Sequence, residues 1–247
     1  MGRLTPALTY RSYLALDDLL AAQRPRSEEH DELLFIIIHQ VYELWFKQVL
    51  HELEDLQRGL ESGDGPAVLH TLRRILAILK TVVAQIDVLE TMTPRAFLAF
   101  RDRLDAASGF QSAQFRTIEA VLGRRDERML AAYDEDSADR AMIEAAMRRP
   151  SLFDSLMAYL RTQGYLGEDR QAVLLEVYRS DGIASTVCEH LVDLDEGLQE
   201  WRYRHVQMVR RTIGDRVGTG GSAGAAYLQR TLLRPAFPDL WAIRARL

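Results

Sequence analysis

Two histidines lie on the apolar stripes of two long helical segments, and an imidazole in that setting must find a partner. His39 falls in the series Phe35, His39, Tyr42, Phe46, Val49, Leu53, Leu56, Leu60, whose spacing of four and three marks one helical face. His205 falls in Leu191, Leu194, Leu198, Trp201, His205, Met208, Thr212. Such a face is buried in a folded chain, where an unpaired ring nitrogen is costly. Backbone or a carboxylate can satisfy each histidine separately. Alternatively, both face one cavity in which a metal or cofactor is the partner. The His205 stripe carries no acid, and neither stripe holds a Glu-x-x-His or His-x-x-x-His pair, so that helix offers a metal a single ligand. One axial histidine on an apolar wall is what a haem requires, because the porphyrin brings four nitrogens of its own. Two such histidines also allow a bis-histidine haem, an arrangement for electron transfer or sensing. His51, His70 and His190 share their faces with charged residues and His30 sits in an acidic turn, so these four read as solvated.

A substrate site is suggested by Arg101, on the face Phe97, Arg101, Leu104 with Phe100 beside it. A guanidinium among aromatic rings can snorkel to water or pair with an Asp, and it can also receive a carboxylate bidentately. The segment Gly218 to Gly224 offers backbone N–H groups and the Thr219 hydroxyl. It is not a nucleotide loop, since no strand precedes it and the lysine is missing. Phe35 with Ile36, Ile37 and Ile38 forms an apolar run able to line a pocket or pack a core.

The elements that must position these residues are helical throughout. Tyr10 to Ala22 reads as a short amphipathic helix, and Ser27 as the N-cap of a long one reaching Leu60. Further helices are expected over Ala67–Glu90, from Thr93-Pro94 onward with a break at Ser108-Gly109, and over Gln111–Leu122. Three or four shorter helices follow between Arg124 and Asp181, then a long one from Ala184 to Ile213 and a last one over Ala225–Leu233. The expectation is an all-α, single-domain helical bundle over residues 1–247, with the two histidine-bearing helices around a haem pocket. At 247 residues with 47% apolar and 27% charged residues, a sizeable core is available. A net charge of -5 gives no reason to expect nucleic acid or an anionic membrane as partner. No uninterrupted apolar run reaches the length of a membrane span, and Met1 to Tyr10 lacks the apolar core of a signal peptide. The one cysteine, Cys188, excludes an internal disulfide, so the expected location is the reducing cytoplasm.

Several segments together resemble the tryptophan 2,3-dioxygenase family. They are Leu8-Thr9-Tyr10 with Tyr13-Leu14, the run Phe35 to Gln48 containing His39, Leu89 to Pro94, Phe97 to Arg101, Ala107 to Ser112, Trp201-Arg-Tyr-Arg-His205, and Gly218 to Ser222. The resemblance implies a helical homotetramer with one haem b per chain, ferrous when active, that opens the indole of L-tryptophan with O₂ to give N-formylkynurenine. By position, His205 would be the iron ligand, with Trp201, Ser108 and Gly220 also at the cofactor. His39 would accept the indole N–H, Arg101 would clamp the carboxylate, and Thr219 would meet the amino-acid end. Phe35, Phe97 and Ile36 to Ile38 would enclose the indole, and Ser108 would lie at the haem's distal edge. Residues 1–24 would form an arm placing Tyr10, Tyr13 and Leu14 in a neighbouring subunit's pocket. Relatives of this superfamily insert only one oxygen into a substituted tryptophan, which is the nearest alternative. The segment between Gly164 and Val192 looks shorter than is usual in the family.

Overall fold

The computed structural model describes residues 7–105, 107–214, 216, 229 and 232–247. Among these residues the fold is all-α. Two short helices, α1 (Tyr10–Tyr13) and α2 (Leu16–Leu20), precede α3 (His30–Ser62) and α4 (Gly65–Leu89). Then come α5 (Pro94–Phe100), α6 (Ala113–Val121), α7 (Ala138–Arg148), α8 (Leu152–Thr162), α9 (Arg170–Arg179), α10 (Ile183–Ile213) and α11 (Pro238–Ala242).

Helix α3, about 50 Å long at 1.5 Å per residue, starts later than its Ser27 signal suggests. Glu32 folds back over the entry and accepts hydrogen bonds from the backbone N–H groups of Arg26 (2.7 Å) and Ser27 (2.8 Å) and from the Ser27 hydroxyl (2.5 Å). The Ser27 hydroxyl oxygen in turn accepts from the Glu29 N–H at 3.2 Å, ahead of the first helical residue His30, so Ser27 does not cap α3. At its other end Gly63 turns left-handed at φ 77°, and its N–H closes on the Leu60 carbonyl, so the chain reverses into α4. Asp64 then caps α4 through the Ala67 N–H at 3.0 Å.

Helix α4 packs against both α3 and α10, while α6 and α8 close on α3. The expected stripe of α3 is the one that enters the core, with Leu53, Leu56 and Leu60 at most 1% exposed. Gly197 of α10 marks a close approach to α4: a Cβ there would stand 2.7 Å from the Leu79 side chain. The tail is tied to α10 by Asp195, which accepts from the N–H groups of Ala236 (2.9 Å) and Phe237 (3.1 Å) and from the Trp241 indole (2.9 Å). Helix α11 lies beyond the last helix expected from the sequence, and its anchor is a carboxylate more than forty residues away.

The N-terminal reading also changes. The helix expected over Tyr10–Ala22 breaks at Ala15, whose φ is +48°, and neither half buries a side chain. Helix α3 has an 18-residue window of mean hydropathy 1.3, so by length and composition it is long and apolar enough to cross a membrane. Its core stripe is nevertheless covered by α4, α6 and α8. Leu33, Ile37 and Leu44 on its outer side are 40–51% exposed. The helix expected over Ala225–Leu233 lies almost wholly outside the described residues.

Candidate active site

One cavity of about 710 Å³ opens where α3, α5, α6 and α10 converge. Seven residues singled out in the sequence line it, six by type and spacing (Phe35, His39, Phe97, Arg101, Trp201 and His205) and Ser108 through the family resemblance. They come from four separate stretches of chain, and their convergence is a product of the α3–α4–α10 packing.

His39 sits one turn after Phe35, and its Nδ1 lies 2.7 Å from the Phe35 carbonyl oxygen. A carbonyl only accepts, so Nδ1 carries the proton and Nε2 keeps its lone pair. Burial holds the imidazole below its ordinary pKa, against the opposing pull of that carbonyl and of Glu43. The Phe35 ring rests on His39 at 4.1 Å and reaches Phe97 at 5.7 Å and Phe100 at 5.6 Å, giving an aromatic wall beside the histidine.

His205 is held differently. The Trp201 ring, one turn earlier, stacks parallel on it at 5.3 Å with 2° between planes. Phe115, Phe46 and Tyr42 box the far side of the indole at 4.9, 6.2 and 6.5 Å. Among the described residues no group hydrogen-bonds either His205 nitrogen, which leaves a neutral ligand atom available to the cavity. Burial, reinforced by His39, pushes its pKa down to about 4.

Both shifts make a prediction for the cofactor-free protein. Each folded pKa lies below the unfolded value near 6.5, so the unfolded chain binds more protons in the window between. This contribution to stability is fully present above pH ~6.5 and declines as pH falls toward the folded values, about 4 for His205. Urea midpoints measured at several pH values should fall more steeply on acidification for the native sequence than for His39→Leu/His205→Leu.

A polar end of the cavity, absent from the reading of the sequence, is built on Glu119. Its carboxylate accepts from Arg116 at 2.6 Å and Arg202 at 3.0 Å and pairs with Arg124 at 3.3 Å. Three guanidiniums thus share one carboxylate at the cavity wall, and Arg202 Nη1 is buried with no hydrogen-bond partner among the described residues. Burial and the neighbouring Arg124 bring the Arg202 pKa down to about 10 despite Glu119, so it stays charged at neutral pH. The excess of positive charge suits an anion. The signal in the sequence was Glu119 one turn after Phe115, an acid beside an apolar face. Glu119→Gln removes the carboxylate that all three guanidiniums share, and loss of a buried partner costs about 3–5 kcal/mol. Equilibrium denaturation of the cofactor-free variant measures that loss.

Other expected positions fall elsewhere. Ile36 to Ile38 do not line the cavity: Ile38 enters the core and Ile37 is 40% exposed. Consecutive residues on a helix step by about 100°, so only Phe35 and His39 of that run face inward together. Tyr10, Tyr13 and Leu14 are 77%, 71% and 41% exposed and do not line this cavity. Thr219 and Gly220 lie outside the described residues. His30, His51 and His70 are exposed, whereas His190 is only 21% exposed and pairs with Asp193 at 3.4 Å.

Comparison with known proteins agrees with this geometry. The profile of the family described as Tryptophan 2,3-dioxygenase matches residues 3–171 and 167–247. The two blocks meet inside the segment expected to be short. A tryptophan 2,3-dioxygenase of Anaeromyxobacter dehalogenans is 68% identical over 98% of this chain and 97% of its own length. That of Herpetosiphon aurantiacus is 54% identical over 99% and 100%, and that of Caulobacter vibrioides 42% identical over 97% and 98%. The chain belongs to the tryptophan 2,3-dioxygenase family.

Proposed function

We propose that this chain cleaves the C2–C3 bond of the L-tryptophan indole, inserting both atoms of O₂ to give N-formyl-L-kynurenine. The observation that carries the reading is the gathering of His39, Arg101 and His205, with their aromatic neighbours, around one cavity in a chain of this family. Family membership favours it over a monooxygenase or a bis-histidine electron carrier.

The cavity suits haem b. His205 offers an imidazole nitrogen with no competing hydrogen bond among the described residues, Trp201 fixes its ring plane, and the guanidiniums of Arg116, Arg124 and Arg202 supply countercharge for the two propionates. Ser108 and, by resemblance, Gly220 would lie beside the group. In its ferrous state the haem supplies the activation of O₂, and the reaction requires no external electrons. The protein's part is to bind and orient. His39 Nε2 accepts the indole N–H, because its other nitrogen is committed to Phe35. Phe35 and Phe97 flank the ring, Arg101 pairs with the substrate carboxylate, and Thr219 would meet the amino-acid end. Holding the indole in one orientation is itself a large contribution to rate.

A homotetramer completes this reading. The exposed Tyr10, Tyr13 and Leu14 on α1, and Leu33, Ile37 and Leu44 on α3, are apolar surface that assembly would cover. Removing residues 1–24 is expected to raise KM for tryptophan while leaving haem content intact; steady-state kinetics and the pyridine haemochrome spectrum check both halves. The reaction itself is tested by giving reduced, haem-loaded protein L-tryptophan under ¹⁸O₂. Product carrying both labelled atoms supports ring cleavage, and product carrying one overturns it.

A further inference from the structure

Behind the wall that carries Trp201 lies a second, smaller cavity of about 40 Å³, lined from α3, α4, α6 and α10. Among the described residues, every side chain around it is aliphatic or aromatic. Leu53, Ile75, Val82, Ile118 and Leu198 in its walls are at most 5% exposed, which places it inside the protein. The space exceeds the roughly 10–15 Å³ that one water needs, yet a buried water also needs two to four polar partners. Among the described residues only the single Trp201 indole N–H lies near, too few partners for a water, so the chamber favours a small apolar guest.

Two rings, Phe115 and Trp201, line this chamber and the main cavity alike, with centroids 4.9 Å apart. The partition is therefore made of side chains, and side chains in packed interiors still hop between rotamers. We propose that the chamber is a holding site for molecular oxygen, exchanging with the main cavity past Phe115. The proposal rests on the functional reading, in which O₂ is a substrate. Oxygen is a small apolar molecule that gains by leaving water for a hydrocarbon-lined space, and a reserve one ring away from the site shortens the wait for it. The chamber wall is also held back by sequence: Gly197 gives Leu79 room to lie against α10, and a methyl group there would drive Leu79 inward.

Crystals of the haem-loaded protein pressurised with xenon are expected to show the gas between Leu79, Val82 and Leu198. V49I/V82I fills the chamber with two methyl groups while remaining apolar. It is expected to raise KM for O₂ about threefold, with no matching rise in KM for L-tryptophan. Carbon monoxide rebinding after flash photolysis should lose amplitude in its slower geminate phase. The exposed-site control V88I should match the unsubstituted protein in every measurement. Xenon absent from the chamber of the unsubstituted protein overturns the proposal, as do unchanged oxygen KM and unchanged rebinding in V49I/V82I. If the unsubstituted protein binds haem and xenon but consumes no tryptophan, the functional reading fails, while the rebinding kinetics still decide the chamber.

Discussion

His205→Ala is expected to lose its haem. The side chain supplies the nitrogen at the cavity wall that nothing in the described structure already uses, and the Trp201 ring stacked on it at 5.3 Å holds the imidazole plane. Removing a group that merely orients a metal ligand costs about 10–100-fold in metal affinity. Removing the ligand should reach or exceed the upper end of that range. Titration of cofactor-free protein with haem, followed at the Soret band, should show affinity lower by on the order of a hundredfold. Imidazole added to the medium should recover part of the band, since the vacated space is the size of the missing ring. His39→Ala is the discriminating control: its Nδ1 is spent on the Phe35 carbonyl, and its role is toward substrate, so that variant should keep haem. Loss of haem in His39→Ala with retention in His205→Ala would reverse the two assignments. Equal loss in both would restore the bis-histidine reading.

The positions of these two histidines were legible because helical periodicity is a local property. A stripe at spacing three and four is visible in the residues themselves, and α3 and α10 bury the stripes that were expected. What periodicity cannot convey is which stripes meet. Glu119 escaped notice because its meaning comes from Arg202, eighty-three residues away, and from Arg124 beyond the end of its helix. The same holds for Asp195, whose Oδ2 takes three donors that all belong to the tail. Ile36 to Ile38 failed for the opposite reason: adjacency in sequence was read as adjacency on a surface, whereas the helix turns consecutive residues apart. Ser27 was a sound capping signal, but its hydroxyl oxygen accepts from the Glu29 N–H, ahead of the first helical residue His30.

Arg101→Ala is expected to raise KM for L-tryptophan by at least about tenfold with haem content unchanged. Arg101 stands where α5 passes into a short 3₁₀ turn, half-buried and on the cavity wall, so its guanidinium reaches the site from a fixed backbone. A charge-assisted hydrogen bond contributes about 1.5–3 kcal/mol. Truncating one partner of a buried charged pair costs roughly 2–5 kcal/mol, because the other charge is left without its counter-ion. At about 1.4 kcal/mol per factor of ten, even the lower figure exceeds a tenfold change in binding. Arg101→Lys should recover little of it, since an ammonium does not reproduce the planar two-point contact with a carboxylate. The substrate supplies a second test of the same contact. Tryptamine, which lacks the carboxylate, should bind the unsubstituted protein poorly and lose almost nothing further in Arg101→Ala. A double-mutant-style cycle across protein and ligand then isolates the pair itself. Unchanged kinetics in Arg101→Ala, or an equal loss with tryptamine and tryptophan, would remove the guanidinium from the carboxylate and leave it a structural role in the turn.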